Sequence, residues 1–292
     1  MKEQRLLFLL LLTTLSLSAQ VKGVVLDSIS GKPIAYVNIW VENENIGTTS
    51  EENGIFLLEI KEEKNIVFSA LGYETKILKS SEIEKVNLYP KVYEMPEVVL
   101  SIPVGNEEIE VGNSKRKFYL PEPQTVPWVL AKKFHFPSEK KDLKFIKNLI
   151  YYTNSEVENG KFRARVYEIT NDSLPGDDLI YQELIINVKK GKQTTVVDVS
   201  KYNIQIPKEG VIVGFESLII EENKYKQKAT IFESKKQTTI DNYSPHIFYH
   251  YSEKEVSYTK RYNKWVKQQF SMYSKKGEKK VITPAINITL TN

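Results

Sequence analysis

Short runs of β-branched and aromatic residues, separated by turn-forming residues, recur along most of this chain. In residues 20–101 the turns return about every 8–12 positions, which is the usual spacing of strands in a β-sandwich. Tyr36–Val41 alternates apolar and polar side chains around Asn38, as a strand with one buried face does. This pattern predicts an all-β protein.

Composition excludes several classes of function. The chain has 292 residues, enough for one large domain or two of ordinary size, and 41% of them are hydrophobic. It has no cysteine, which excludes a disulfide framework, thiolate zinc sites, iron–sulfur clusters, thiol catalysis and a lipid-anchored N-terminal cysteine. Three histidines argue against a histidine-rich metal centre, and a net charge of +4 is too small to indicate nucleic-acid binding.

The N-terminus has the three-part pattern of a secretory signal peptide. Lys2 and Arg5 precede the apolar run Leu6–Leu12, and the small residue Ala19 precedes Gln20. We therefore expect cleavage after Ala19, which makes residues 1–19 the signal peptide. The apolar run is shorter than the roughly 20 residues of a membrane span, so a retained anchor is the lesser alternative. The mature chain is predicted to be exported, without a transmembrane segment, to the periplasm, the outer-membrane surface or the medium.

Charge divides the mature chain into two parts. Residues 20–101 contain 8 Lys, no Arg and 13 acidic residues, whereas residues 102–292 carry a net charge of +8. The sign change predicts two domains, 20–101 and 116–292, joined by a linker at 102–115 rich in Pro, Gly and polar residues. Opposite charge could dock the two domains, although such contrasts more often belong to solvated faces.

Seven strands are predicted in the first domain, with Gly31, Gly54 and Gly72 at turns that need a permissive backbone. Glu51–Gly54 is typical of a hairpin turn. The predicted strands are Val21–Leu26, Tyr36–Val41, Ile46–Ser50, Ile55–Ile60, Asn65–Ala70, Glu74–Leu78 and Lys85–Leu88.

The order of motifs in this domain resembles the carboxypeptidase-like regulatory domain. The matching segments are Val21–Val25, Gly31–Ile39, Gly47–Ser50, Asn53–Phe56 and Phe68–Glu74. Ser50-Glu51 stands where the family pattern has Thr-Asp, a change that keeps the chemistry. The resemblance implies a seven-stranded prealbumin-like β-sandwich, of a kind found in exported proteins of Gram-negative bacteria, and it explains the glycines and aromatic residues as scaffold.

The second domain is also predicted to be β-rich. In Phe162–Tyr167 apolar residues alternate with Arg163 and Arg165, which predicts one buried and one solvated face. The predicted strands are 144–152, 162–169, 184–188, 194–199, 211–220, 258–270 and 285–290, with a possible bulge at Gly214. The segments Phe162–Tyr167, Leu174–Gly176, Val197–Tyr202 and Gly210–Glu216 resemble a larger jelly-roll-like β-sandwich, a resemblance that implies no activity.

No catalytic or metal-binding constellation is complete in the sequence. His250 and Glu253 have the spacing of zinc-carboxypeptidase ligands, but no histidine follows them, and His135 lies more than a hundred residues upstream. His246 would share a face with His250 on a helix, but the aromatic residues between them favour a strand. Asp177-Asp178 lacks the alternating ladder of a calcium loop. We expect no catalytic residues, no cofactor and no metal.

Aromatic residues crowd the segment from 243 to 273, where they serve either core packing or stacking on sugar rings. They are Tyr243, Phe248, Tyr249, Tyr251, Tyr258, Tyr262, Trp265, Phe270 and Tyr273. The interleaved Lys260, Arg261, Lys264 and Lys267 suit single-stranded nucleic acid, but export makes that partner improbable.

The sequence thus predicts a non-catalytic exported cell-envelope protein that acts as a binding or assembly module, with an envelope protein or a glycan as its partner. The alternative is a carbohydrate- or peptide-binding accessory protein of the envelope.

Overall fold

The computed structural model describes residues 19–91, 107–112, 123–135, 143–230, 237–268 and 280–292. Within these ranges the regular elements are strands, apart from three single-turn 3₁₀ helices at Ser80–Glu82, Ser200–Tyr202 and Glu221–Asn223. This confirms the all-β prediction. Residues 1–18 of the predicted signal peptide lie outside the described residues.

None of the helices found in the described ranges is long and apolar enough to cross a membrane.

Residues 19–91 form a seven-stranded sandwich, the N-terminal sandwich, as predicted. One sheet has the order β4-β1-β7 and the other the order β3-β2-β5-β6. The strands are β1 (Ala19–Asp27), β2 (Asn38–Val41), β3 (Gly47–Thr49), β4 (Ile55–Ile60), β5 (Asn65–Ser69), β6 (Lys76–Lys79) and β7 (Lys85–Leu88).

The core of the N-terminal sandwich lies between these two sheets. Phe56, Leu58 and Ile60 alternate with exposed residues along β4 and point inward. Phe56 contacts Phe68 of the other sheet edge to face, with ring centroids 5.5 Å apart. The period-2 pattern of the sequence therefore placed these core residues correctly.

The turn at Glu51–Gly54 exists, but it is not a hairpin. Gly54 has the positive φ that the sequence predicted, at 76°. The flanking strands β3 and β4, however, belong to different sheets, so the turn carries the chain from one layer of the sandwich to the other. A local turn signal fixes the reversal of the chain but not the partner of each strand.

The C-terminal sandwich is larger, and its two main sheets have the orders β14-β10-β23-β8 and β12-β11-β15-β9-β20-β21. Strand β18 also pairs with β10, β13 also pairs with β11, and β16-β17 and β19-β22 form two-stranded sheets. The strands are β8 (Glu108–Val111), β9 (Val129–Phe134), β10 (Phe145–Ser155), β11 (Gly160–Ile169), β12 (Pro175–Asp178), β13 (Ile185–Val188), β14 (Gly191–Asp198), β15 (Val211–Ser217), β16 (Lys224–Thr230), β17 (Gln237–Tyr243), β18 (His246–Ile247), β19 (Tyr249–Ser252), β20 (Ser257–Arg261), β21 (Lys264–Lys267), β22 (Val281–Pro284) and β23 (Ile286–Thr291).

Aromatic residues join the two main sheets across the core of the C-terminal sandwich. Phe162 lies between Tyr151 and Phe215, with ring centroids 4.9 and 4.6 Å away. The Tyr151 hydroxyl donates a hydrogen bond to the Gly214 carbonyl, 3.0 Å away on the opposite sheet. Burial raises the pKa of this tyrosine far above its usual value.

Three local predictions for this region were wrong. Residues Glu108–Val111 of the predicted 102–115 linker form β8, which pairs with β23. The predicted strand at 258–270 is the β20–β21 hairpin, turning at Tyr262 and Asn263 with φ of 51° and 60°, because two consecutive residues with positive φ make a tight hairpin turn. The pairing of β15 passes Gly214 without a register shift, so there is no bulge.

The two sandwiches pack directly against each other. Thr49 and Ile219 exchange two hydrogen bonds, Thr49 N–H to the Ile219 carbonyl at 3.1 Å and Ile219 N–H to Thr49 Oγ1 at 3.0 Å. Tyr36 forms a small apolar cluster with Leu218 and Ile220. The N-terminal sandwich therefore covers part of the outer face of the β12-β11-β15-β9-β20-β21 sheet.

Candidate binding site between the two sandwiches

A cavity of about 290 Å³, here called the junction cleft, lies where the two sandwiches meet. Strand β2 of the N-terminal sandwich contributes Asn38 and Trp40. Ile39, between them, points into the N-terminal core, so strand alternation turns Asn38 and Trp40 toward the other sandwich.

The C-terminal sandwich supplies the floor of the cleft through the outer face of its β11-containing sheet. Phe162, Ala164 and Val166 of β11 face the core, so Arg163, Arg165 and Tyr167 face outward. The sheet register places Glu216 of β15 directly opposite Arg163. The residues of this face that line the cleft are Val129, Arg165, Tyr167, Asp178, Glu216 and Lys260.

The sequence predicted that this basic face is solvated, but in the structure it is buried. Arg163 is 1% exposed and Arg165 11% exposed, because the N-terminal sandwich covers them. Arg163 also donates through Nη2 to the Tyr36 carbonyl of that sandwich. The charged residues of β11 thus belong to an internal contact between the two sandwiches.

Glu216 is the centre of a buried ionic network. Its carboxylate, 1% exposed, accepts from Arg163 Nη1 at 2.8 Å and from Arg165 Nε at 2.7 Å. Asn38 Nδ2 donates to the same carboxylate across the junction. Burial acts to raise the pKa of Glu216, but Arg163 and Arg165 outweigh it and lower the pKa to about 2. The group is therefore a fixed anion at neutral pH.

Asp178 and Lys260 are less completely compensated. Asp178 Oδ2 lies 3.1 Å from Arg165 Nη1, yet burial raises the pKa of Asp178 to about 6. Burial lowers the pKa of Lys260, whose ammonium lies 5.6 Å from the centroid of the Trp265 ring. In both groups burial disfavours the charged form.

Three polar atoms of residues that line the cleft are sealed from solvent and find no hydrogen-bond partner in the described part of the chain. They are Asn38 Oδ1, Trp128 Nε1 and Asp178 Oδ1, whereas Arg165 Nη1 is ion-paired with Asp178 Oδ2. Native proteins pair nearly all buried polar groups with protein, water or ligand.

Aromatic rings complete the walls of the cleft. Trp40, Tyr73, Trp128, Tyr167 and Tyr262 all line it. Of the aromatic-rich segment from 243 to 273, Tyr262 lines the cleft, whereas Tyr249 and Tyr258 are buried core residues. Phe270 and Tyr273 lie outside the described residues. Tyr249 and Tyr258 therefore serve packing, and the rings of the cleft come from distant parts of the chain.

The histidines considered as metal ligands have separate partners. His250 lies on β19 and contacts Glu255, not Glu253, while Glu255 also pairs with the buried Lys132 at 2.6 Å. His246 lies on β18, with its Nε2 2.9 Å from the Tyr225 hydroxyl. His135 is exposed at the end of β9.

Throughout the ranges that the structure describes, no group of three or more His, Cys, Asp or Glu side chains is placed to hold a metal ion.

The sequence analysis missed the ionic centre of the cleft. A signal was present, since Glu216 is the single charged residue within the largely apolar run Val211–Ile220. A charge in such a strand needs a partner, and the regularly spaced arginines of β11 were candidates for it. Asp178, considered only as part of a calcium loop, instead lies on β12 beside Arg165.

The fold was compared with solved structures. One similar chain is the clostridial cysteine protease Cwp84 after propeptide cleavage, with a TM-score of 0.36, 12% sequence identity, and coverage of 84% of this chain and 51% of that one. Another contains the cysteine protease and lectin-like domains of Cwp84, a surface layer associated protein of Clostridium difficile, with a TM-score of 0.34, 13% identity, and coverage of 84% and 45%. This chain spans about half the length of those chains, and the likeness is too distant to carry a functional argument.

No curated protein matches the chain significantly. At the N-terminus, by contrast, one family model matches. Residues 21–100 match the model of the CarboxypepD_reg-like domain.

Proposed function

We propose that this chain is a non-catalytic, exported binding or assembly module of the cell envelope, and that it binds its partner in the junction cleft. The observation that carries the proposal is a cavity between the two sandwiches that aromatic rings and charged groups of both signs line together. Binding sites are typically concave, lined by aromatic and apolar surface, and supplied with a few convergent polar groups.

Two largely buried carboxylates, Glu216 and Glu255, are poorly suited to proton transfer. Glu216 is held as an anion by two arginines, and with a pKa of about 2 it is a poor proton acceptor. Glu255 is similarly held: burial acts to raise its pKa, but His250 and Lys132 outweigh this and lower it to about 2. Both carboxylates are held in ion pairs with neighbouring cationic side chains.

Export rests on the signal pattern of residues 1–19, and the match at 21–100 supports a β-sandwich domain directly after it. The envelope location, in the periplasm or at the outer membrane, is part of the same proposal. Cleavage after Ala19 would leave Gln20 at the start of β1.

The experiment compares capture by wild-type and cleft-altered protein. Mature protein (residues 20–292) is immobilised, envelope fractions of the source cell are passed over it, and retained proteins and glycans are identified by mass spectrometry. Tyr262→Asn is the cleft variant, because it removes a wall of the cleft while Asn tolerates the positive φ of this turn. Tyr251→Ala is the matched control, since Tyr251 is 42% exposed and does not line the cleft.

We expect wild type and Tyr251→Ala to retain at least one envelope component that Tyr262→Asn does not retain. If no material is retained, or if all three proteins retain the same material, the junction cleft is not the binding site and the proposal is wrong.

A further inference from the structure

The β20–β21 hairpin continues the core side of its sheet, but this side is only partly covered there. Leu130 of β9 packs in the core of the C-terminal sandwich, and the register places Thr259 and then Val266 beside it. Directly paired residues of neighbouring strands lie on the same face of a sheet, so Val266 lies on the core side. It is nevertheless 60% exposed. The apolar layer of the core therefore extends into a region that solvent reaches.

A cavity of about 520 Å³, here called the hairpin hollow, lies on this face of the hairpin. Its apolar walls are Trp128, Leu130, Tyr249, Val266 and Ile282. The volume falls within the range of about 300–1,000 Å³ that small-molecule sites occupy. Because Val266 is exposed, a ligand can reach these walls from solvent.

The charged groups of the hairpin hollow lie at one end. Arg261 and Lys264 are directly paired across the hairpin, beside its turn, and both side chains are exposed. The Arg261 guanidinium lies 5.8 Å from the centroid of the Trp128 ring. Among the described residues, no Asp or Glu lines the hollow, so no carboxylate of the lining balances these two positive charges. An anionic group is the complement of this end.

A ligand that combines an alkyl chain with an anionic head matches both parts of the hairpin hollow. The apolar walls favour the chain, because burying methylene groups stabilises a complex. The two cations favour a carboxylate, which accepts charge-assisted hydrogen bonds from both. The chain that follows Gln268 does not supply this charge, since residues 269–279 contain three Lys and one Glu.

We propose that the hairpin hollow binds a medium-chain fatty acid. The carboxylate lies between Arg261 and Lys264, and the alkyl chain lies along the apolar walls. This site is additional to the junction cleft and goes beyond the proposed function, although Trp128 and Tyr262 line both cavities.

The test is calorimetric titration of the mature protein with straight-chain carboxylates from hexanoate to dodecanoate, below their micellar concentrations, and with primary alcohols of equal length. Each methylene that enters the hollow should tighten carboxylate binding by up to about fourfold. The alcohols should bind more weakly than the carboxylates. Added salt should weaken carboxylate binding and leave alcohol binding unchanged, because it screens exposed charges.

Lys264→Glu is the diagnostic variant, and Lys267→Glu is its matched control. Both lysines are exposed on β21, but Lys267 is paired with Tyr258, which packs on the opposite face of the sheet. Reversing the charge at Lys264 should weaken carboxylate binding by about fivefold or more and leave alcohol binding unchanged. Lys267→Glu should change either affinity by less than about twofold.

Val266→Asp is a second variant, which places a carboxylate in the wall of the hollow. Its control is Val196→Asp, because Val196 of β14 is 59% exposed and does not line the hollow. Val266→Asp should weaken carboxylate binding, whereas Val196→Asp should not.

The inference is overturned if no carboxylate binds, if alcohols bind as tightly as carboxylates, or if neither Lys264→Glu nor Val266→Asp weakens carboxylate binding. None of the four substitutions changes a residue that lines the junction cleft. Failure of fatty-acid binding therefore leaves the proposed function standing, and a failed envelope capture leaves the fatty-acid site standing.

Discussion

At the scale of single residues, Glu216 illustrates how two sandwiches can share one buried charge cluster. Its carboxylate is surrounded by Arg163, Arg165 and Asn38, which come from both sides of the junction. Replacing a whole buried ion pair by apolar residues can be neutral, whereas removing one partner leaves an uncompensated charge.

We expect Glu216→Gln to lower the free energy of unfolding by about 3–5 kcal/mol, because two buried guanidinium groups lose their anion. The control is Glu253→Gln, which removes a carboxylate that is 59% exposed and 3.6 Å from Lys280. Exposed pairs contribute little, so this control should change stability by less than about 1 kcal/mol. Urea unfolding measures both, and equal effects of the two substitutions would contradict the role given to Glu216.

His246 should make stability depend on pH. Burial lowers its pKa to about 4 from an ordinary 6.5. Between these values the unfolded chain binds a proton that the native state does not, so stability falls as pH falls from 6.5 toward 4. The shift corresponds to roughly 3 kcal/mol over that range.

In His246→Gln this proton uptake is absent. We therefore expect the difference in unfolding free energy between wild type and His246→Gln to change by roughly 3 kcal/mol between pH 7 and pH 4, in the direction that relatively stabilises the variant at low pH. Denaturant unfolding at several pH values measures it. Parallel pH profiles would show that His246 does not titrate in this way.

At the scale of elements, two glycine turns of the N-terminal sandwich share a positive φ but differ in the space around them. Gly54, between β3 and β4, has a φ of 76°, and a Cβ added there would lie 2.7 Å from the Val25 carbonyl oxygen. Gly72, after β5, has a φ of 83°, but a Cβ there would meet no atom within 4 Å.

Gly54→Ala should therefore destabilise the protein more than Gly72→Ala. Both substitutions force alanine into the left-handed region, at a cost of about 1–2 kcal/mol. Only Gly54→Ala adds a backbone clash, which the neighbouring strand β1 cannot relieve without moving. Thermal unfolding of the two variants tests this, and a larger loss for Gly72→Ala would contradict it.

At the scale of the whole molecule, the N-terminal sandwich has a closed core of its own and a second, interface face. Val25, Ile39, Phe56 and Phe68 are almost fully buried between its own sheets. Trp40, 8% exposed in the complete chain, lies on the opposite face of β2, next to the other sandwich.

We expect residues 20–101 to fold alone, because their core needs no contribution from the rest of the chain. The fragment contains one tryptophan, Trp40, whose emission should be red-shifted relative to a full-length protein in which Trp128 and Trp265 are replaced by Phe. NMR dispersion and fluorescence measure the two effects. A disordered spectrum would show that the N-terminal sandwich depends on the junction, and unshifted emission would show that Trp40 is not covered by it.

The sequence by itself determined the all-β class, the seven strands of the N-terminal sandwich and the positive φ at Gly54. These features follow from local rules, namely period-2 burial and the absence of a Cβ in glycine, that need only neighbouring residues. The match at residues 21–100 agrees with the motif order read from the sequence.

Only the tertiary structure decided which sheet each strand joins and what covers each face. Arg163 and Arg165 look like residues of a solvated face, since alternation distinguishes two faces but does not say what lies on each. Glu108–Val111 looks like a linker, yet it pairs with β23, about 180 residues later in the chain. The junction cleft is built from Asn38, Trp128, Glu216 and Lys260, whose separation in sequence leaves no local pattern, so it exists only once the two sandwiches have packed together.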